Sequence, residues 1–362
     1  MVTNSMPVFI GNQRGGLNLE STNKTVIVTG GCGYVAGWMI AGLLQRGYRV
    51  RTTVRNLASE GAVRKSILSQ CDPGDRLSFF SADLFQDAGW GTAMDGCDFV
   101  IHVASPMGQG APKGTDLITP ARDGTLRILK AAAAAGVRRV VITSSVAAAQ
   151  NTLPAGDRNH VETDEGMWTD VNKKDTGDYA RSKTLAEKAA WEFIEQDKSG
   201  LTLTSILPGM ILGPVMTSKV SGSVEIISRM LTGRMAAVPR LGFSIVDVRD
   251  LVDLHISAML SPAAAGQRFI ASRGFLWLSE MVDILRRQSG MPTEKLPKRR
   301  LPDVVLRLAA LFSAEAKFMA PLLGKESRYS HAKATALLDW HPRAAADTVT
   351  ACAESLVARG IV

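Results

Sequence analysis

Tyr179 and Lys183 stand four positions apart in a stretch of helical periodicity, a spacing that brings both side chains onto one face of a helix. A free phenol ionises near pH 10, so it exchanges protons near neutrality only where a positive neighbour stabilises the phenolate. Lys183 supplies such a charge. By itself the pair is more often a half-buried tyrosine beside a solvated lysine, and the surrounding residues have to decide.

Two further stretches bear on the chemistry. Thr143-Ser144-Ser145 ends a β-branched run, which would set hydroxyls at the carboxyl edge of a sheet, where open α/β folds bind ligands. Val26-Ile-Val-Thr-Gly-Gly-Cys-Gly-Tyr-Val-Ala-Gly37 places a glycine turn between a strand and a helix. Gly30 would allow the turn and Gly33 the approach of a pyrophosphate. The helix start at Tyr34 and Val35 would offer free amides and a positive dipole end, with Thr29 beside them. The third small position is Ala36, followed by Gly37, and either permits close packing of helix on strand.

Cofactor choice is written after the next strand. Arg49-Val-Arg-Thr-Thr-Val-Arg55 carries no carboxylate to hold a ribose 2′-hydroxyl, whereas a guanidinium grips a 2′-phosphate through paired hydrogen bonds. NADP(H) is therefore expected over NAD(H), with Arg55 as the main contact and Arg64 and Lys65 as further ones. Asp83 and Leu84 would bracket the adenine.

These residues need a frame. From Lys24 onward, short β-branched runs alternate with amphipathic stretches, the pattern of a parallel sheet covered by helices on both faces. Strands are expected at Val26 to Thr29, Tyr48 to Val54, Leu77 to Ala82, Phe99 to Val103, Arg139 to Thr143 and Leu203 to Leu207. Helices are expected at Val35 to Gln45, Ala62 to Ser69, Gly124 to Ala135 and Tyr179 to Gln196. After Pro208, recurrent prolines mark shorter elements, with Asp247 and Asp250 opening a helix through Ala258. Further helices read at Ser279 to Gln288, Val304 to Phe312, Ser330 to Leu338 and Thr348 to Ala358. The expected architecture is a doubly wound α/β domain over residues 24–207. A smaller α/β substrate-binding lobe would span 208–362, with strand or helix returns to the main domain.

Composition bounds the rest. The 362 residues are 46% hydrophobic and 21% charged, an ordinary globular balance with no run long enough for a membrane helix. Met1 to Asn23 reads as a polar, glycine-rich leader outside the fold, without the apolar core of a secretory signal. Cys32, Cys71, Cys97 and Cys352 are scattered singly, which fits a reducing cytoplasm and predicts no metal site. The net charge of +8 includes a basic cluster, Lys295, Lys298, Arg299 and Arg300. No nucleic-acid motif accompanies it, so it reads as a solvated linker and the charge balance as favouring an anionic small molecule.

The glycine turn, Ala82-Asp-Leu84, His102-Val-Ala-Ser-Pro106, Thr143-Ser-Ser145, Tyr179-Ala-Arg-Ser-Lys183 and Leu207-Pro-Gly-Met-Ile-Leu-Gly-Pro214 occur in one order. Together they resemble the extended short-chain dehydrogenases/reductases. Thr53-Val-Arg55 and Ser182-Lys-Thr-Leu-Ala-Glu187 make the chain most similar to the dihydroflavonol reductase branch and its microbial aldehyde and ketone reductase relatives. The resemblance implies a Rossmann-type fold in which Ser145 and Tyr179 hydrogen-bond a substrate carbonyl, nicotinamide delivers hydride and Tyr179 donates the proton. It also implies that Lys183 contacts the nicotinamide ribose, that Val103, Ala104, Ser105 and Pro208 line the cofactor cleft, and that Gln150 faces the substrate. Met107, Trp168, Met210 and Phe243 would shape an apolar pocket near its opening, or else belong to the core.

The expected activity is NADPH-dependent reduction of an aldehyde or ketone by a monomer or homodimer, with no nucleic-acid or membrane partner. Two other readings stay open at this point: a nucleotide-sugar epimerase or dehydratase, and a dinucleotide-sensing protein without turnover.

Overall fold

Each of the six expected β-branched runs becomes a strand, at Thr25–Val28, Arg49–Val54, Leu77–Ser81, Phe99–His102, Arg139–Thr143 and Thr202–Pro208. The computed structural model describes residues 23–106, 116–150, 153–154, 162–174, 176–218, 220 and 222–362. A seventh strand, Gln267–Ala271, joins the sheet edge beside Thr202–Pro208 from a region where the sequence reading names none. Its short apolar run carries no period that tells strand from helix, and pairing with Thr202–Pro208 decides the matter.

All seven strands run parallel. Thr25–Val28 lies between Arg49–Val54 and Phe99–His102, so successive connections leave it in opposite directions. Such a switch point opens a crevice at the carboxyl ends of the strands, and ligands of open α/β sheets bind there.

Val26, Ile27 and Val28 are fully buried, as are Val140 and Val141, because helices cover both faces of the sheet and make the central strands continuous apolar runs. On one face Met39, Ile40 and Leu43 pack with Leu251, Leu254 and Phe269. On the other, Trp90, Ile128, Leu129 and Ala190 pack with Ile27, Val100 and Leu203.

The helix expected from Gly124 begins earlier and spans Ile118–Ala134. Asp116 Oδ1 accepts the Ile118 amide at 2.8 Å, and Pro120 sits in the first turn, where its missing N–H costs nothing. Asp247 does open a helix, Val248–Leu260, its side chain accepting the Arg249 amide at 2.9 Å.

A separate core of Ile227, Met281, Leu285, Val349 and Leu356 holds the C-terminal lobe together. Yet Val248–Leu260 and Gln267–Ala271 pack into the main domain, so the chain after Pro208 serves both units. The basic segment read as a linker contains a short strand, Arg299–Leu301, parallel to Ala237–Pro239, with Arg299 and Arg300 exposed. No helix among the described residues is long and apolar enough to cross a membrane.

Candidate active site

Thr29 pins the crevice. Its Oγ1 accepts the amides of Val103 at 3.1 Å and Ala104 at 3.0 Å and lies 2.9 Å from Nδ1 of His102. With both lone pairs taken, the hydroxyl proton goes to Nδ1, so the imidazole is neutral and carries its own proton on Nε2. Burial, helped by the charge of Lys183, pushes His102 down to about 3.

The glycine turn is clamped from the second strand. Thr53 takes the Gly30 amide on Oγ1 at 3.1 Å and the Gly31 amide on its carbonyl at 2.9 Å. Gly30 has φ +75°, and a Cβ there would meet the Cβ of Ala104 at 3.0 Å. Gly31, which the sequence reading passes over, is tighter still: a Cβ would fall 2.4 Å from Thr52 Oγ1. Gly33 then opens the helix Tyr34–Gln45 without a side-chain cap and with no acidic residue in its first turn. The amides of Tyr34 and Val35 are thus left facing a site suited to an anion.

Tyr34 joins this site only through its backbone. Its hydroxyl is buried without a hydrogen-bond partner among the described residues, and burial, together with Cys352 and Asp247 nearby, raises its pKa well above the usual phenol range.

Arg55 and Lys65 are exposed at the end of the second strand and on the following helix. Arg64 is held elsewhere, 2.8 Å from Glu60 and 2.7 Å from the Leu77 carbonyl, with its guanidinium over Phe79. Asp83 Oδ1 accepts the Phe85 amide at 3.1 Å, and Leu84 packs on the core beside it.

Ser145 is 6% exposed, and its Oγ accepts the Ala147 amide at 3.1 Å, leaving the hydroxyl proton to donate. Tyr179 and Lys183 are half-buried on the helix Asp178–Gln196. Small buried residues such as Ala186 and Ala190 let this helix pack closely on Ile118–Ala134. The same helix packs against the short turn Val146–Ala149 that follows Ser145. Lys183 borders a cavity of about 30 Å³ together with Leu84, His102, Ser105, Ser144 and Glu187. Pro208 ends the neighbouring strand, where the Ser144 amide reaches the Ile206 carbonyl at 2.7 Å.

The apolar candidates divide. Trp168 lies flat against Arg268, guanidinium carbon 3.6 Å from the ring centroid, with Lys188 at 5.4 Å. It packs there because a guanidinium stacks on an aromatic face. Met210 and Phe243 pack on the lobe core, in strands paired through Ile245 and Met210. Gln150 is half-buried, its backbone N–H donating to Thr169 Oγ1 at 2.6 Å. Met107 lies outside the described residues.

Ser144, Glu187, Arg268 and Phe318 carry no role that the sequence pattern alone predicts. Glu187 carried the clearest signal: a carboxylate one turn after Lys183 on an alanine-rich helix face that is otherwise buried.

The profile of the family described as "NAD dependent epimerase/dehydratase family" matches residues 26–271. Cinnamoyl-CoA reductase 2 of Arabidopsis thaliana is 36% identical over 287 residues, covering 76% of this chain and 83% of that protein. Dihydroflavonol 4-reductase of Zea mays is 34% identical over 287 residues, covering 77% and 78%. The crystal structure of Gre2 from Candida albicans in complex with NADPH matches with a TM-score of 0.75 at 25% identity, over 93% of this chain and 99% of that one.

Proposed function

This chain belongs to the NAD dependent epimerase/dehydratase family, the extended short-chain dehydrogenases/reductases, and from that premise we propose that it reduces an aldehyde or ketone to an alcohol with NADPH. The observation that carries the reading is convergence at one crevice: the uncapped start of the helix Tyr34–Gln45 and the cavity shared by Lys183 and Ser144 both open at the carboxyl edge of the sheet.

The residues fit the cofactor. Gly30, Gly33 and the amides of Tyr34 and Val35 would hold the pyrophosphate, a role suited to a helix start that carries no acid and no side-chain cap, while Thr29, its hydroxyl and amide already bonded, would serve by fixing the crevice wall. Arg55, with Lys65, would hold the 2′-phosphate. Asp83 and Leu84 would flank the adenine, and Val103, Ala104, Ser105 and Pro208 the nicotinamide end. Bound there, NADPH would supply the hydride.

The chain's own part is positioning and proton transfer. Ser145 donates to the carbonyl oxygen, Tyr179 donates to the same oxygen and then gives up its proton, and Lys183 stabilises the resulting phenolate and holds the ribose. Gln150 and Met210 would face the substrate, and Phe318, in ring contact with Tyr179, would favour a carbonyl carrying an apolar or aromatic group.

Turnover of a panel of aldehydes, ketones and dihydroflavonols, with NADPH and NADH in parallel, tests the reading. NADPH consumption is expected, lost in Tyr179→Phe with NADPH binding retained. No consumption across the panel would overturn the reductase reading, and a tightly held NAD in the purified protein would replace it with that of an epimerase or dehydratase.

A further inference from the structure

We propose that Glu187 is a positioning residue whose carboxylate couples the serine end of the sheet to the helix bearing Tyr179 and Lys183. The inference rests on the assignment of those groups and of Ser145 made above.

Glu187 is 2% exposed. A carboxylate is costly to bury, and an apolar residue of similar volume often serves stability as well or better. Here the burial is compensated by five hydrogen bonds. Oε2 accepts from Ser144 Oγ at 2.6 Å and Arg268 Nη2 at 3.3 Å. Oε1 accepts from Ser205 Oγ at 2.5 Å, Arg268 Nε at 2.8 Å and Trp191 Nε1 at 3.4 Å.

Trp191 lies on the same helix as Glu187, and the other donors come from three neighbouring parts of the sheet. Ser144 follows Arg139–Thr143, Ser205 lies within Thr202–Pro208 and Arg268 within Gln267–Ala271. One side chain therefore ties the helix to three adjacent strands. Ser144 is fixed twice, through its amide to Ile206 and its hydroxyl to Glu187, and this sets the direction in which the chain presents Ser145.

Arg268 completes the device by neutralising the carboxylate. It is itself locked by the carbonyls of Glu165 at 2.6 Å and Met167 at 2.9 Å and by the face of Trp168. No ion pair joins Lys183 to Glu187 among the described residues, although they stand one helical turn apart. The lysine charge is thereby left for the site.

Ser144→Ala removes one bond and no charge, and it supplies the test. With an aldehyde that the wild type reduces, kcat is expected to fall about tenfold. The NADPH dissociation constant should stay within about twofold, and Ser144→Thr, which restores the hydroxyl, should recover most of the rate. Glu187→Gln should lower kcat further and also lower Tm, since Arg268 loses its counter-charge. Should Glu187→Gln fail to fold, the serine pair still decides.

A Ser144→Ala enzyme with unchanged kcat, a parallel loss of NADPH affinity, or no recovery in Ser144→Thr would overturn the inference. If in that case the wild type turns over and Tyr179→Phe does not, the reductase reading stands and only the coupling falls. A wild type without turnover removes both.

Discussion

The ring of Phe318 stands edge-on to that of Tyr179, centroids 6.0 Å apart at 72°, with Phe318 still 51% exposed. Tyr179 belongs to a helix of the main domain and Phe318 to the helix Ala314–Met319 of the C-terminal part, so the lobe sets an apolar wall against the phenol. Phe318→Ala is expected to raise KM for an aromatic aldehyde about two- to tenfold more than for a two-carbon aldehyde, the range of one aromatic pair contact. Steady-state kinetics on both substrates check this, and equal changes would remove Phe318 from the substrate site.

The proposed cofactor site rests its preference for NADPH on Arg55. Losing a charge-assisted bond to a 2′-phosphate costs about 1.5–3 kcal/mol, so Arg55→Ala should raise KM for NADPH roughly 10- to 100-fold. KM for NADH should move far less, and Lys65→Ala should have a smaller effect in the same sense. A loss shared equally by both cofactors would mean that Arg55 supports the fold rather than the phosphate.

Two buried histidines make stability depend on pH. His255 is fully buried, within 2.8 Å of both the Leu251 carbonyl and Thr143 Oγ1, and burial pushes it down to about 4, as His102 is pushed to about 3. In the unfolded chain each takes up a proton near pH 6.5, in the folded chain only near those lower values. The unfolded state therefore binds more protons across that window, and stability is lost as pH falls below about 6.5, by up to about 1 kcal/mol per pH unit for each histidine. Glu165 and Asp250, whose carboxyls burial raises, act in the opposite sense nearer the carboxylate range. Calorimetry should show Tm falling between pH 7 and 5, with a shallower fall in His255→Gln even though that variant starts lower. An identical slope would show that His255 does not contribute.

Gly31 carries the steric limit of the cofactor turn. A Cβ 2.4 Å from Thr52 Oγ1 must push aside either the turn or the Thr52 side chain, and overpacking of this kind costs about 1–3 kcal/mol. Gly31→Ala should lower Tm and weaken NADPH binding, measured by titration calorimetry, and adding Thr52→Ala should restore part of the binding. Wild-type affinity in the single variant would show that the turn has slack at this position.

Much of the frame was legible from local pattern. Buried parallel strands such as Val26–Val28 must be apolar on both faces, and they therefore stand out as runs. The glycine turn is legible because Gly30 adopts φ +75°, which a side chain disfavours. The shared face of Tyr179 and Lys183 follows from helical period alone. Arg64 misled for the converse reason: its charge and position suit a phosphate, but Glu60 and the Leu77 carbonyl hold it.

The sequence by itself thus determined a doubly wound sheet, a glycine turn between strand and helix and a tyrosine–lysine face, because each is specified by neighbours along the chain. Only the tertiary structure decided that Arg268 meets Glu187 across 81 residues, that Ser144 reaches the same carboxylate across 43, and that Phe318 faces Tyr179. Those pairings depend on which strands lie adjacent and on where the lobe folds back, and no local spacing encodes them.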